Sequence, residues 1–361
     1  MTLDLSLLPD GGLHWLIASG DHAGIVISSR IRLARNLSGF AFPARAREGE
    51  RLRVLQEVRE AMPRLASLRD GAFVRVDECT AQERLLLHER HLVSRELAGV
   101  ERKGAIPGAG GVIVTGDAGV MVNEEDHLRV QTFRSGFDIA GALRDAERID
   151  RELGQTLPYA WHQEFGFLTA CPTNTGTGMR ASVLIHLPGL VLTQEIQKVL
   201  QGLQHMGLTY RGLYGEGSDV VGNYFQISNQ TTLGRTEDDL VDQLMRVVRR
   251  VIEREEEARR VLQRDAGYII DDKLWRAYGT LRHARNLPAE EAMTLLSAVR
   301  LAAGLNLLSG LSVYTLNKLL IFSQSAHLAQ AEGRPLTEGE ANLARAKYVR
   351  QVLANEARHT G

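Results

Sequence analysis

Gly111-Val112-Ile113-Val114-Thr115-Gly116-Asp117-Ala118-Gly119-Val120-Met121-Val122 decides the fold class of this chain. Two apolar runs are separated only by turn residues, the arrangement of a hairpin whose strands pair antiparallel. Parallel neighbours would need a crossover helix between them. The pattern therefore predicts an α+β fold, a largely antiparallel sheet flanked by helices. Further strand signals are Phe73 to Val76, Ser182 to Leu187, Thr209 to Leu213 and Asn223 to Ser228. Helical periodicity marks Arg51 to Met62, Gln82 to Leu97, Ile139 to Leu153 and Thr193 to Met206. Gly108-Ala109-Gly110-Gly111 feeds a strand and reads as a turn rather than a phosphate loop.

After Gly234 the character changes. Thr236 and Asp239 form a capping box that opens a long charged helix to about Asp265. From Asp271 onward the periodicity is helical only, over 271–285, 288–308, 313–331 and 337–358. Leu274, Ala277, Tyr278 and Leu281 carry the spacing of a buried stripe. A sheet domain over 1–254 followed by an all-α C-terminal domain over 255–361 is expected. Leu301 to Leu308 and Leu319 to Phe322 exceed what a small helical unit needs for its own core, which predicts a C₂ homodimer through this region.

The 361 residues are 44% hydrophobic and 24% charged, ordinary for a globular protein, with a net charge of −1. That balance gives no case for nucleic acid or a membrane surface as partner. Cys79 and Cys171 are too few for a disulfide scaffold, which fits a reducing cytoplasm. No apolar run reaches membrane-spanning length, and the amino terminus lacks the layout of a signal peptide. A cytoplasmic protein is expected.

The residues with chemistry cluster in short segments. Cys171-Pro172-Thr173-Asn174-Thr175-Gly176-Thr177-Gly178-Met179-Arg180 joins a cysteine, a hydroxyl- and glycine-rich turn and an arginine, a set that suits an anion or stands as a structural turn. There is no G-x-x-x-x-G-K-[ST] loop and no His-Arg-Asp or Asp-Phe-Gly set. Instead Arg30, Arg32, Arg129, Arg180 and Arg211 sit beside polar turns, where several bidentate guanidiniums together can hold a nucleotide triphosphate, although any one alone reads better as a solvated surface arginine. Asn123-Glu124-Glu125-Asp126-His127 follows an apolar strand: an acidic turn, or a site for a cationic substrate with one carboxylate as proton acceptor. Glu216, among glycines at a strand end, can grip the same cation from another side. His88 and His91 lie three apart with no further ligand cluster, so no protein-held metal is expected.

Together these segments resemble the phosphagen (guanidino) kinase family. The matching pieces are Ser28-Ser29-Arg30-Ile31-Arg32, His91 in Glu89-Arg90-His91-Leu92, Asn123 to Arg129, Cys171 to Ser182 and Arg211 to Glu216, in family order. Only 27 residues precede Ser28, where the small-guanidine enzymes carry a helical domain, and a helical tail follows. Both features resemble the bacterial protein-arginine kinase branch. The resemblance implies ATP as phosphoryl donor, magnesium held mainly by phosphates and water, and protein substrates bearing exposed arginines. An activator protein and the protein-degradation machinery are implied partners, with roles in quality control and the stress response. It implies ATP contacts from Ser28, Ser29, Arg30, Ile31, Arg32, His91, Arg129, Arg180, Ala181, Ser182, Val183, Leu184, Arg211, Gly212, Leu213, Tyr214, Gly215 and Glu216. Glu125 is then the catalytic carboxylate, Glu124 its support, and Cys171 a contact to the substrate guanidinium. Glu216 matches the second substrate carboxylate of the protein-directed branch, whereas small-molecule arginine kinases place a glutamate where Asp219 stands. The pair is left open.

Two other readings stay in view: a small-guanidine kinase, and a non-catalytic phosphoarginine-binding adaptor. There is one departure from the branch. Its Arg-Asp-x-x-Arg-Ala allosteric phosphoarginine site aligns here with Ala341-Asn342-Leu343-Ala344-Arg345-Ala346, so the first arginine and the aspartate are replaced.

Overall fold

A computed structural model describes residues 13–100, 108–213, 220–308 and 310–359. The elements in chain order are β1 (Val26–Arg35), α1 (Glu48–Ala61), β2 (Ala72–Arg75), α2 (Ala81–Glu89), α3 (Arg95–Ala98), β3 (Gly111–Thr115), β4 (Ala118–Val122), β5 (Leu128–Ser135) and α4 (Ile139–Thr156). Then follow the two-residue strands β6 (Trp161–His162) and β7 (Gly166–Phe167), β8 (Met179–His186), α5 (Pro188–Leu192), α6 (Ile196–His205), β9 (Leu208–Arg211) and β10 (Tyr224–Asn229). Helices complete the chain: α7 (Glu237–His283), α8 (Ala289–Gly304), α9 (Val313–Phe322), α10 (Ser325–Ala331) and α11 (Glu338–His359).

Eight strands form one sheet in the order β2-β3-β4-β5-β1-β8-β10-β9, and every neighbouring pair is antiparallel. This is the expected α+β architecture. The deciding hairpin is present, closed tightly because Thr115 pairs with Ala118 and Gly116 takes φ +47°, a value glycine adopts without strain. β1 and β5 carry no strand expectation from sequence, yet they form the centre of the sheet. On β1, Ile31 and Leu33 enter the main core while Arg30 and Arg32 face the other way. Strand alternation thus splits one segment between apolar and cationic faces. On the apolar face the sheet packs against α1, α4, α6 and the first half of α7.

The opposite face is covered in two patches. α2 and the residues after it cover β2, β3 and β4 through Leu87, Leu92 and Leu97. Trp15, Phe133, Leu184 and Tyr224 instead meet Met293 of α8 and Leu320 and Ile321 of α9. Strands between these patches carry the polar face.

Several boundaries differ from the sequence reading. The stretch Gln82 to Leu97 is two helices, because His91 takes φ +59° and Ser94 starts a new helix by accepting the Leu97 N–H. Thr236 and Asp239 do form the capping box, but α7 continues past Asp265 to His283 with a single non-helical residue, Ala266, just before Gly267. The 313–331 stretch divides into α9 and α10 at Ser323 and Gln324. Leu301, Leu305, Leu308 and Leu319 are consumed by the core between α7, α8, α9 and α11. The apolar surplus proposed for self-association is therefore internal, and that argument for a dimer falls.

Arg35 joins the sheet to α4. Its guanidinium donates to both oxygens of Asp150 at 2.8–3.2 Å and to the carbonyls of Ala34 and Thr177, and it lies 3.5 Å from the Phe167 ring centroid. Removing one partner of such a pair strands the other in a dry site. Arg35→Ala is expected to lower stability by about 3 kcal/mol, read as a shift in the urea midpoint at unchanged m-value. A shift under about 0.5 kcal/mol would place Arg35 among ordinary surface arginines.

Candidate active site

Pairing register brings the arginines together. Arg32 on β1 stands opposite Arg180 on β8, Arg129 on β5 opposite Ala34, and Arg211 on β9 opposite Gln226 on β10. With Arg30 they line one cavity of about 890 Å³ on the polar face of the sheet. Arg30 donates to Gln131 Oε1 and lies 4.9 Å from the Phe133 ring centroid. Arg180 donates to Ser228 Oγ at 3.1 and 3.2 Å.

Burial, then Arg129 and Arg180, push the Arg30 guanidinium down to about 9. Arg32 is pushed well below its ordinary value by burial and by Arg30, Arg129 and Arg180. An arginine in a protein nevertheless keeps its proton. Burial and then like charge both disfavour the charged form here, and a polyanion in the cavity would relieve them. Arg30 Nε and Arg32 Nε are buried donors with no hydrogen-bond partner among the described residues. These observations fit a nucleotide's phosphates.

His91 borders the same cavity from the loop after α2. Gln131 Nε2 donates to the carbonyls of His91 and Leu92 at 3.0 and 3.1 Å, so one glutamine fixes both this loop and Arg30. Burial, followed by Arg30 and His88, holds the His91 imidazole well below its usual range and hence neutral.

The carboxylates enter from the turn between β4 and β5. Asn123 takes φ +57°, and its side chain donates to the Arg51 and Ala109 carbonyls at 2.8 Å each. Glu124 is buried, and its Oε1 accepts from Arg129 Nη1 at 2.8 Å while Oε2 accepts the Glu125 N–H at 2.7 Å. Arg129 Nη2 donates to Glu125 Oε2 at 3.0 Å. The Glu125 side chain is 44% exposed and lines the cavity, so it is oriented yet reachable. Burial opposes the Arg129 charge, but Glu124, Glu125 and Asp126 outweigh it and raise its pKa.

Cys171 also lines the cavity, its Sγ 3.0 Å from Thr173 Oγ1. Asp126 links it to the carboxylates: Oδ1 accepts from the Ala170 N–H and from Asn36 Nδ2, both at 2.6 Å. Asn36 Oδ1 in turn accepts the His127 N–H at 2.9 Å. Gly178 holds the end of the Cys171 loop against β1. At φ +65° a Cβ there would lie 2.5 Å from the Ala34 carbonyl oxygen.

The structure therefore brings Arg30, Arg32, His91, Glu124, Glu125, Arg129, Cys171, Arg180 and Arg211 to one cavity. The nucleotide-contact segments also contain residues whose side chains it sends elsewhere. Ile31, Ala181 and Val183 face the main core, while Leu184 and Leu213 join the cluster around Trp15. Ser28 is buried away from the cavity wall, and Ser29 donates to the Gly136 carbonyl and accepts the Asp138 N–H. Ser182 stands behind Gln226, accepting from its Nε2 at 3.0 Å, and Gly212 is not on the wall. Period-two alternation is the cause for Ser29, Ile31, Ala181 and Val183, whereas Ser28, Ser182 and Leu184 share the arginines' face but stand off the cavity wall. Tyr214, Gly215, Glu216 and Asp219 lie outside the described residues. Gln131 and Gln226 went unnoticed in the sequence. Their signal was spacing, since Gln131 falls two residues after Arg129 on the same strand face.

At the allosteric motif, Ala341 and Ala346 are buried and Arg345 is 2% exposed. Arg345 donates to the Ser323 and Leu287 carbonyls, to Asn342 Oδ1 and to Ser325 Oγ at 2.8–3.2 Å. Its guanidinium is taken up by the protein itself. Among the described residues no group of three His, Cys, Asp or Glu side chains could hold a metal, and no helix is long and apolar enough to cross a membrane.

Comparison with known proteins agrees with this geometry. Residues 53–258 match the ATP:guanido phosphotransferase C-terminal catalytic domain, and residues 268–360 match the protein-arginine kinase McsB C-terminal domain. The chain is 40% identical over 348 residues to a protein-arginine kinase of Pelotomaculum thermopropionicum, covering 95% of this chain and 96% of that one. It is 42% identical over 355 residues to one of Moorella thermoacetica, covering 97% and 100%. A solved lombricine kinase shares the fold with a TM-score of 0.56 at 27% identity, covering 72% of each chain. By full-length similarity and by both domain matches, this chain belongs to the protein-arginine kinase family, a branch of the ATP:guanido phosphotransferases.

Proposed function

We propose that this enzyme transfers the γ-phosphoryl group of ATP to a guanidinium nitrogen of arginine side chains in proteins. The observation that carries the reading is the reachable Glu125, held by Arg129 in the same cavity as the arginine row and Cys171. A guanidinium attacks poorly because its nitrogen lone pair is delocalised and its pKa lies above about 12. Glu125 accepts a proton from the attacking nitrogen as the N–P bond forms and the bond from phosphorus to the ADP oxygen breaks. Glu124 fixes Glu125 through the latter's backbone N–H, and the Cys171 sulfur, on the wall of the same cavity, contacts the guanidinium. Arg30, Arg32, Arg129, Arg180 and Arg211 neutralise the charge on the phosphates. Magnesium, carried by phosphate oxygens and water, would add charge neutralisation there.

Full-length similarity to protein-arginine kinases and the matching C-terminal domain favour this over a small-guanidine kinase. A silent adaptor would have no use for a proton acceptor held at the cavity. We place the catalytic region at 1–254 and the helical region at 255–361, supported by the main core reaching Ala258 and the C-terminal core starting at Leu262. A homodimer and a cytoplasmic setting belong to the same reading. Tyr268, Ile269 and Trp275 on α7 are exposed apolar groups that suit a second copy.

Incubation with ATP, magnesium and an unfolded protein should place phosphate on arginine, lost in acid and stable to mild base. Acid-stable phosphate confined to serine, threonine or tyrosine would sink the proposal. Glu125→Gln should lower turnover by about 10² or more with little change in nucleotide affinity, and Cys171→Ser should also impair it. Near-normal turnover of Glu125→Gln would show the proton acceptor to be another group. Phosphoarginine should stimulate weakly or not at all, since Arg345 is bound by its own protein and the other ligands of the motif are Ala341 and Asn342. Calorimetric titration showing saturable binding, with increased turnover, would restore the allosteric site.

A further inference from the structure

One wall of the cavity is held by the C-terminal helices. α2 ends at Glu89, and Arg90 and His91 then turn the chain into that wall. Glu89 itself points away from the cavity and is buried against α10, whose N-cap Gln324 makes no side-chain capping bond. The Glu89 carboxylate supplies the missing cap from across the chain. It accepts the Ala326 N–H at 2.9 and 3.1 Å, the His327 N–H at 3.1 Å and His327 Nδ1–H at 2.8 Å. Arg90 Nε donates to His327 Nε2 at 3.3 Å, consistent with the ring hydrogen sitting on Nδ1. Gln82 of α2 donates to the Ala326 carbonyl at 2.9 Å. Behind this contact, Arg345 binds the Ser323 carbonyl and Ser325 Oγ, fixing the turn that presents α10. The 90–94 loop is thus tied at one side to Gln131 in the sheet and at the other to α10.

We infer that Glu89 is a positioning residue for nucleotide binding: by capping α10 it holds the His91 loop over the arginine row, so the C-terminal helices set nucleotide affinity. The inference rests on the cavity being the nucleotide site. Glu89 touches neither substrate nor reacting atoms, so its loss acts on affinity rather than on the chemical step.

The test uses the full chain, titrated calorimetrically with ADP and magnesium, alongside KM for ATP and kcat on an unfolded protein. Glu89→Gln keeps the size but turns a donor toward the N–H groups. ADP Kd and KM for ATP should both rise about tenfold, with kcat at saturating ATP within about twofold of the parent. Gln82→Ala leaves the carboxylate in place and should raise Kd about threefold. It keeps the question decidable where Glu89→Gln fails to melt cooperatively. Unchanged ADP affinity in the variants, or a fall in kcat at unchanged affinity, overturns the inference. A parent chain that does not bind ADP overturns the nucleotide reading itself, a result distinct from parent and variants binding alike.

Discussion

Repulsion among Arg30, Arg32, Arg129 and Arg180 on one face of the sheet is the constraint on which the rest depends. Each charge is removed from water and placed near its like, an arrangement whose cost falls when anions share the space. Glu124 and Glu125 offset part of it at Arg129. The remainder can persist only because the opposite face of the same strands is a continuous apolar core that keeps Arg30 and Arg32 from turning away. Stability on one face is thereby converted into stored affinity on the other.

The coverings of the polar face follow from this. A sheet face carrying several guanidiniums cannot be closed by a helix with an apolar stripe, so α2 covers one flank and α8 and α9 the other, leaving the charged strip open between them. Gln131 and Ser228 stand between the arginines as neutral acceptors, and Gln226, which donates to Ser182, as a spacer. Arg30 and Arg180 are hydrogen-bonded to neighbouring strands, which fixes these guanidiniums before any phosphate arrives.

How much of this was legible in the sequence depended on whether the signal was local. The hairpin at Gly116 and the capping box at Thr236 are short-range patterns, and both stand where they were read. β1 and β5 do carry a strand's period-two alternation, Ile31 and Leu33 against Arg30 and Arg32, and Leu128 and Val130 against Arg129 and Gln131. They escaped notice because they lack the continuous apolar run that marks β3 and β4. The break inside 82–97 was missed since leucines on both sides share helical spacing, although Ser94 carried the N-cap chemistry. For the site, motif segments named the cavity's charged groups but also swept in Ile31, Ala181 and Val183, which alternation turns inward. Ties such as Asn36 to Asp126 join residues 90 positions apart, and no local pattern announces them.

The Asp126 carboxylate also accepts the Ala170 N–H, so it joins the segments that carry Glu125 and Cys171 and holds the proposed guanidinium site as one piece. A rigid receptor leaves the adjustment to its guest. An arginine already engaged in an exposed ion pair gives up about 1 kcal/mol or less to leave it, whereas one in a buried pair strands its partner at a cost of about 3–5 kcal/mol. The enzyme would then sort the arginines of its targets by how firmly their own proteins hold them. Under the proposed function, arginines that their own proteins hold loosely would be phosphorylated ahead of buried ones, without any separate sensor.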